Sequence, residues 1–398
     1  MFLTRKKIQP VLLVLGAAGF GAGVFFGGVP GDGRRQALGA APVDKGGDAK
    51  AVEPIPFPDG VLDAERRTAF VSSPKGGIQA IRLEDGKVLW TNDDCAAQPW
   101  LAAGDRLIAR GERLFILDLK KEGKLLRKCD ALPFPKVDIP DKCTVAFPLW
   151  GPRVVGDALE AKWYAVASID RGKGRPFPFE AWTAFNKAVP VGTVKINLDS
   201  GKAELETDPK PADISQGLIL EAAKAEKRMP AGLPEKLAAV WRQYHKDQDG
   251  RITLVGERLV GVSMTLEPVG QEFLKKVALN AWDVKTGAAA DSVELVKDKA
   301  INIANIVLTA DRRHAGVVFG TSAVAIYSLS DGKPVAKEVK GVSSPEEAFV
   351  DGKRLYYSEL ARDRGAETAN ALKALDLESG KVVWERALKP RSTVPLPP

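Results

Sequence analysis

Ala374-Leu375-Asp376-Leu377-Glu378-Ser379-Gly380-Lys381-Val382-Val383-Trp384 is the stretch on which the fold turns. Apolar and other residues alternate up to Asp376, the pattern of a short strand. The carboxylate of Asp376 can bond the backbone two residues on and so start a turn. Gly380 then takes the positive φ that closes a hairpin without a Cβ clash. Lys381 is solvated at the turn, and Val382-Val383-Trp384 begins a second strand.

The same signature recurs along the chain. It appears as Ile81-Arg82-Leu83-Glu84-Asp85-Gly86-Lys87, with Val88-Leu89-Trp90 after it, and as Leu117-Asp118-Leu119 running to Glu122-Gly123-Lys124. It returns at Ile196 to Gly201-Lys202, at Trp282-Asp283 to Gly287, and at Tyr327 to Gly332-Lys333. The six glycines are 37, 78, 86, 45 and 48 residues apart, so two intervals hold either an insertion or a degenerate extra unit. Asp118 and Gly123 are five apart, which predicts a bulged or longer turn. A second signature opens a strand before several copies: Gly104-Asp105-Arg106-Leu107, Gly256-Glu257-Arg258-Leu259 and Gly352-Lys353-Arg354-Leu355. Each unit thus supplies about four short antiparallel strands, which predicts an all-β fold: a β-propeller of six recognisable four-stranded blades, with room for a seventh.

The pattern Ala-x-Asp-x-x-Ser/Thr-Gly-x-x-x-Trp, best kept at Ala374 to Trp384, resembles the blade repeat of quinoprotein-like (PQQ-like) β-propellers. The resemblance covers roughly residues 60–390. Arg82 stands where the family prefers Asp, and Leu205, Asp291 and Ala336 stand where it has Trp. It implies that Trp90 and Trp384 stack between neighbouring blades. The family includes alcohol and sugar dehydrogenases that hold PQQ with Ca2+, and also non-enzymatic scaffolds. Many of the alcohol-oxidising members carry two adjacent cysteines beside the cofactor. Here Cys95, Cys129 and Cys143 are dispersed, and no cofactor-binding set is recognisable. The scaffold branch is therefore expected, with a PQQ-type oxidoreductase as the alternative.

The N-terminus sets the compartment. Arg5-Lys6-Lys7 precedes Ile8 to Gly31, 24 residues without a charge, long enough to cross a bilayer as a helix. The basic cluster should stay in the cytoplasm and place the rest outside, in the periplasm or its equivalent. The length favours an anchor over a cleaved signal peptide, for which Ala37-Leu38-Gly39-Ala40-Ala41 would supply small residues. Residues 1–31 are thus read as the membrane segment, 32–59 as a Pro/Gly/Ala-rich flexible tether, 60–390 as the propeller and 391–398 as a tail. The formal charge is +7, of which residues 1–50 carry +4. No concentrated basic face remains for phosphates, so nucleic acid is excluded as a partner. The partner expected is another envelope protein or envelope component.

Between 213 and 245 the strand pattern gives way to a helical one. Leu237, Val240, Trp241 and Tyr244 fall at i, i+3, i+4 and i+7, with Pro234 suited to the first turn. An inserted helix that docks onto the propeller through Trp241 is expected. It leads into His245-Lys246-Asp247-Gln248-Asp249-Gly250, a sequence similar to the calcium loop of EF-hand proteins. His245 replaces the first Asp and Gly256 the closing Glu, so Asp247 and Asp249 are better read as a helix-to-strand turn than as metal ligands. His314, in Asp311-Arg312-Arg313-His314, is expected at a solvated turn, and no GxSxG nucleophile elbow accompanies it. Cys129 and Cys143 either close one disulfide or remain separate thiols.

Overall fold

In the computed structural model six glycines with positive φ close six hairpins. Gly86, Gly201, Gly287, Gly332 and Gly380 have φ between 67° and 74° and donate their N–H to the carbonyl four residues back. Gly123, at φ 73°, reaches five residues back to Asp118 instead. The extra residue is absorbed by a 3₁₀ turn over Leu119–Lys121 and by Glu122 at φ 53°. The side chains that open the turns bond where such turns need them. The Asp118 carboxylate accepts from Lys120 N at 2.9 Å, Asp283 from Thr286 N at 2.7 Å and Asp376 from Ser379 N at 2.7 Å.

The structure describes residues 54–388 apart from 112, 139–142, 170–178, 213–228, 231, 249, 271, 291, 321–322 and 361–369. The expected membrane segment, most of the tether and the C-terminal tail lie outside the described residues. So do Asp249, Asp291 and the first part of the expected insertion.

Each hairpin belongs to one antiparallel sheet of four or more strands, and each sheet is made from one continuous stretch of chain. The first sheet spans 55–92, the second 98–128, the third 149–207, the fourth 252–299, the fifth 303–340 and the sixth 349–388. The first carries an extra strand, Ile55–Phe57, on its inner edge. A two-stranded ribbon, Cys143–Ala146 with Val166–Ile169, prolongs a hairpin of the third sheet. Among the described residues six such sheets are present and a seventh is not.

Neighbouring sheets share cores. Phe70, Ile78 and Ala80 of the first meet Leu107, Ala109 and Leu117 of the second. Ile108 and Ile116 of the second meet Leu159, Trp163 and Ile196 of the third. Val260, Val262 and Leu279 of the fourth meet Ile306 and Val317 of the fifth, and Val324 and Ile326 of the fifth meet Leu355 and Tyr357 of the sixth. The sixth sheet returns to the first, where Tyr356, Leu372, Ala374 and Trp384 meet Phe57, Leu62, Val71 and Ile81. This order of sheets, with the last resting on the first, is that of a β-propeller.

The third and fourth sheets are the exception. Among the described residues no apolar cluster joins them. Helix α1, Phe179–Lys187, which the sequence reading missed, lies within the third unit. Helix α2, Glu235–Asp247, runs two residues past the expected end of the insertion. It lays Leu237, Trp241 and Tyr244 on Ile252 and Leu259 of the fourth sheet.

Candidate interaction surfaces

The alternation of strands within each sheet gives the ring two unlike faces. Every signature hairpin, and every turn joining the first two strands of a four-stranded unit, lies at one end of its sheet. We call that end the turn face. Side chains link these turns from sheet to sheet. Arg66 donates to Gly104 O at 2.8 Å and to Asp105 at 2.9 Å, Arg67 pairs with Asp351 at 2.5 Å, and Arg106 pairs with Asp199. Lys285–Glu257 at 2.6 Å and Lys353–Glu378 at 2.8 Å complete a neutral, polar surface. Exposed pairs of this kind contribute little each, about 0–1 kcal/mol. Several carboxylates on this face lie below their ordinary pKa range for a local reason. Asp85 is held down by the Arg82 guanidinium and then by Lys87 N–H, and Asp376 by the hydroxyl and N–H of Ser379. Shifts made by a turn's own donors mark turn geometry and not a reactive site.

Both tryptophans and several of the glycines named from the sequence sit at the joints between sheets. Trp384 covers Gly86, where an added Cβ would lie 2.6 Å from the indole, and its Nε1 donates to Leu83 O at 3.2 Å. Trp90 covers Gly123 in the same way, with an added Cβ 2.4 Å from the ring. Arg127 stands over Gly201, Val293 over Gly332, and Lys236 of helix α2 is the nearest group to Gly287, at 3.8 Å. Gly380 has nothing within 4 Å.

The remaining candidates are placed as follows. Asp247 is exposed at the end of helix α2 and accepts from the Gln243 side chain. Among the described residues no group of three or more His, Cys, Asp or Glu could hold a metal. Cys129 is a buried free thiol, so the Cys129–Cys143 disulfide is not formed; Cys95 is a buried free thiol as well. Burial pushes the Cys95 thiol up to about 11, which keeps it protonated and unreactive. His314 is not at a solvated turn: its side chain is 15% exposed, with Nδ1 2.8 Å from an Asp311 carboxylate that is itself covered. Ser328 stands directly across the ladder from His314. Its hydroxyl serves its own turn, accepting from Ser330 N at 3.2 Å and lying 2.7 Å from the Ser330 hydroxyl.

The opposite end, the loop face, is irregular. One feature of it is the hairpin Arg258–Val269/Glu272–Asp283, with strands of 12 residues each. The inner strand Ile252–Val255 pairs only with Arg258–Gly261, so the outer part of the hairpin projects past it. Four large apolar side chains among the described residues are more than half exposed: Ile301 at 84%, Leu266 at 56%, Phe273 at 54% and Val269 at 51%. All four lie at this one corner, since Ala300 N donates to Phe273 O at 2.8 Å and brings Ile301 beside the tip. The sequence reading did not single out these residues. The signal available was length, because Met264 to Phe273 continues a strand pattern well past the size of the other repeats.

No family model matches the sequence, and no curated protein matches it. Among solved structures, the computationally designed Ika8 protein is 7% identical, covering 86% of this chain and 90% of its own, at a TM-score of 0.29. BamB from Moraxella catarrhalis is 13% identical, covering 86% and 91%, at 0.22. A KlHsv2 variant with loop 6CD replaced by a Gly-Ser linker is 9% identical, covering 80% and 93%, at 0.31. Likenesses at these values carry no argument about activity or partner, and the architecture rests on the sheets and their shared cores.

Proposed function

We propose that the chain is a non-enzymatic scaffold of the cell envelope, tethered to the membrane by residues 8–31 and binding another envelope protein through its ring. The observation that carries this reading is the inequality of the two faces. The turn face pairs many of its charges within and between its turns, whereas the loop face offers the most exposed apolar side chains of the described residues at one corner, on a protruding hairpin and at Ile301 beside it. A rigid ring that presents a side-chain cluster in this way suits recognition better than chemistry. The dispersed cysteines and the turn-bound carboxylates support the same reading.

Two measurements test it. The full-length protein incubated with PQQ and Ca2+ is expected to show no saturable change in the quinone spectrum and no dye reduction with alcohols or sugars. Saturable binding accompanied by dye reduction overturns the scaffold reading in favour of an oxidoreductase. Alkaline washing of membranes is expected to leave the protein in the pellet. Release with a new N-terminus near Ala41 overturns the tether.

A further inference from the structure

We propose that the tip of the fourth-sheet hairpin, formed by Leu266, Val269 and Phe273 with Ile301 beside it, docks into an apolar cleft of another protein on the side of the ring that faces away from the membrane. This rests on the reading of the chain as a membrane-tethered scaffold.

Register and hydrogen bonding decide how the tip can be used. Pro268 stands opposite Phe273, and Leu266 opposite Lys275, so Leu266, Pro268 and Phe273 share one face of the ribbon, while Val269 opposite Glu272 lies on the other. Val262 N donates outward to Arg251 O at 2.8 Å and Met264 N to the Gln248 side chain at 3.2 Å. The even-numbered positions therefore direct their backbone groups toward the open edge, and Pro268 comes next but one after Met264. A proline there has no N–H to offer an added strand, which guards the edge against β-pairing. What the tip can present is its side chains.

Charge narrows the partner. Three lysines behind the tip pair between the hairpin and the strand Val293–Lys299: Lys297 with Glu267 at 2.7 Å, Lys299 with Glu272 at 2.8 Å, and Lys276 with Glu294 at 3.6 Å. Lys275 donates to Ile303 O at 2.5 Å. An apolar tip inside a charge-balanced collar matches a cleft with an apolar floor and a neutral rim, and exerts no net pull on phosphate or anionic lipid.

The path of the chain separates a protein from the bilayer as occupant. Ile55 pairs with Leu62 and Phe57 with Gly60, so the described chain begins at the end of the first sheet that carries the Asp63–Thr68 turn, on the turn face. On the reading that residues 8–31 anchor the chain, the described residues are entered from the turn face, and the fourth-sheet tip points the opposite way.

The test uses the full-length protein in its own cells, with a benzophenone amino acid at position 273 and, as turn-face controls, at 285 and 381. The expected result is one light-dependent adduct from position 273 with a different protein, the joined peptide of which is apolar, and no such adduct from 285 or 381. Leu266→Ser in the chain probed at 273 should cut the yield about tenfold, as loss of one buried anchor does, while leaving the melting temperature unchanged because Leu266 is exposed. An adduct with the mass of two copies, a lipid adduct, equal yields from both faces, or no adduct overturns the proposal. Alkaline washing of the same membranes reports on the tether independently: a protein that stays in the pellet but gives no adduct at 273 defeats the docking tip and spares the anchored scaffold.

Discussion

Two joints of this ring use the same repeat differently. Where the sixth sheet meets the first, Trp384 and Tyr356 enter a common core and both donate to Leu83 O at 3.2 Å. Arg386 donates to Gly86 O at 2.5 Å, and Arg354 to Glu84 O. Where the third sheet precedes the fourth, none of this occurs among the described residues. The third sheet alternates strictly: Leu159, Ala161 and Trp163 are buried, while Glu160, Lys162 and Tyr164 between them are only partly covered. Its second face carries Arg153, Glu160 and Lys195 in an ionic ladder, with Lys162 bonded to Thr193. Leu205, which stands where the best repeat has Trp, packs into the cluster shared with the second sheet. The corresponding face of the fourth sheet is covered instead by helix α2, with Tyr244 over Gly261 and its hydroxyl accepting from Asn280 at 2.9 Å. A side chain on the strand after the turn can reach the next glycine, as at Gly86 and Gly123, and beside Gly287 a helix takes that place; the fifth and sixth sheets share a core although Gly380 has nothing within 4 Å.

The comparison predicts its largest difference at the two tryptophans. Both are buried, Trp384 at 8% and Trp241 at 3% exposure, so each loses comparable local packing on truncation. Trp384→Ala opens the core that joins the two ends of the ring and should cost about 3–5 kcal/mol of global stability, against a typical total of roughly 5–15 kcal/mol. Trp241→Ala should mainly release helix α2, seen as early proteolytic cleavage within 235–247 with a smaller fall in the denaturation midpoint. Equal falls in both midpoints would mean that the helix belongs to the same cooperative unit, and that the third and fourth sheets are joined as firmly as the sixth and first.

A finer cut uses two glycines with nearly the same backbone. Gly86 and Gly380 have φ of 70° and 67°, so alanine at either pays about 1–2 kcal/mol for a left-handed conformation. Only at Gly86 would the new Cβ strike Trp384, which adds about 1–3 kcal/mol of overpacking. Gly86→Ala should therefore be the more destabilising by that increment in equilibrium unfolding. Indistinguishable values would place the strain in the turn alone and remove Trp384 from the joint.

Much of the architecture was legible because the turn is a local device. Asp or Asn, Gly and a following apolar run need only their own neighbours to close a hairpin, so the glycines marked six sheets before any tertiary contact was known. The longer turn at Gly123 was legible for the same reason. The alternation that leaves one face of the third sheet polar was also written in Leu159-Glu160-Ala161-Lys162-Trp163, but its meaning depended on what covers the other side. Covering is a tertiary fact, as it is for His314, whose turn looks solvated in sequence yet holds a covered Asp311 that accepts from Val350 N of the sixth sheet. The hairpin tip was missed because an exposed Phe273 and a buried one have the same pattern within a strand. Only the inner strand, which begins at Ile252 opposite Gly261, shows how far the hairpin runs past it.

The smallest expected effects compare a covered carboxylate with a half-open one as the pH falls. Burial pushes the pKa of Asp311 up, but the His314 ring and its charge, together with Thr309 and the Arg313 N–H, outweigh burial and hold it below the ordinary value. Asp311 also accepts from Val350 N of the sixth sheet at 3.4 Å, so it belongs to a joint. Glu160 is held down first by its bond from Arg153, on the open face of the third sheet. A carboxyl whose pKa is lower folded than unfolded stabilises the fold above its unfolded value, about 4, and loses that contribution as pH drops through the folded one. Below about pH 4, Asp311→Asn should therefore flatten the acid limb of the stability curve, in low and high salt alike, because the group is covered. Glu160→Gln should change stability by less than about 1 kcal/mol at neutral pH, with an acid effect that fades in molar salt. If the Glu160 effect is the larger and survives salt, the open face of the third sheet is covered in solution, and the contrast between the two joints fails.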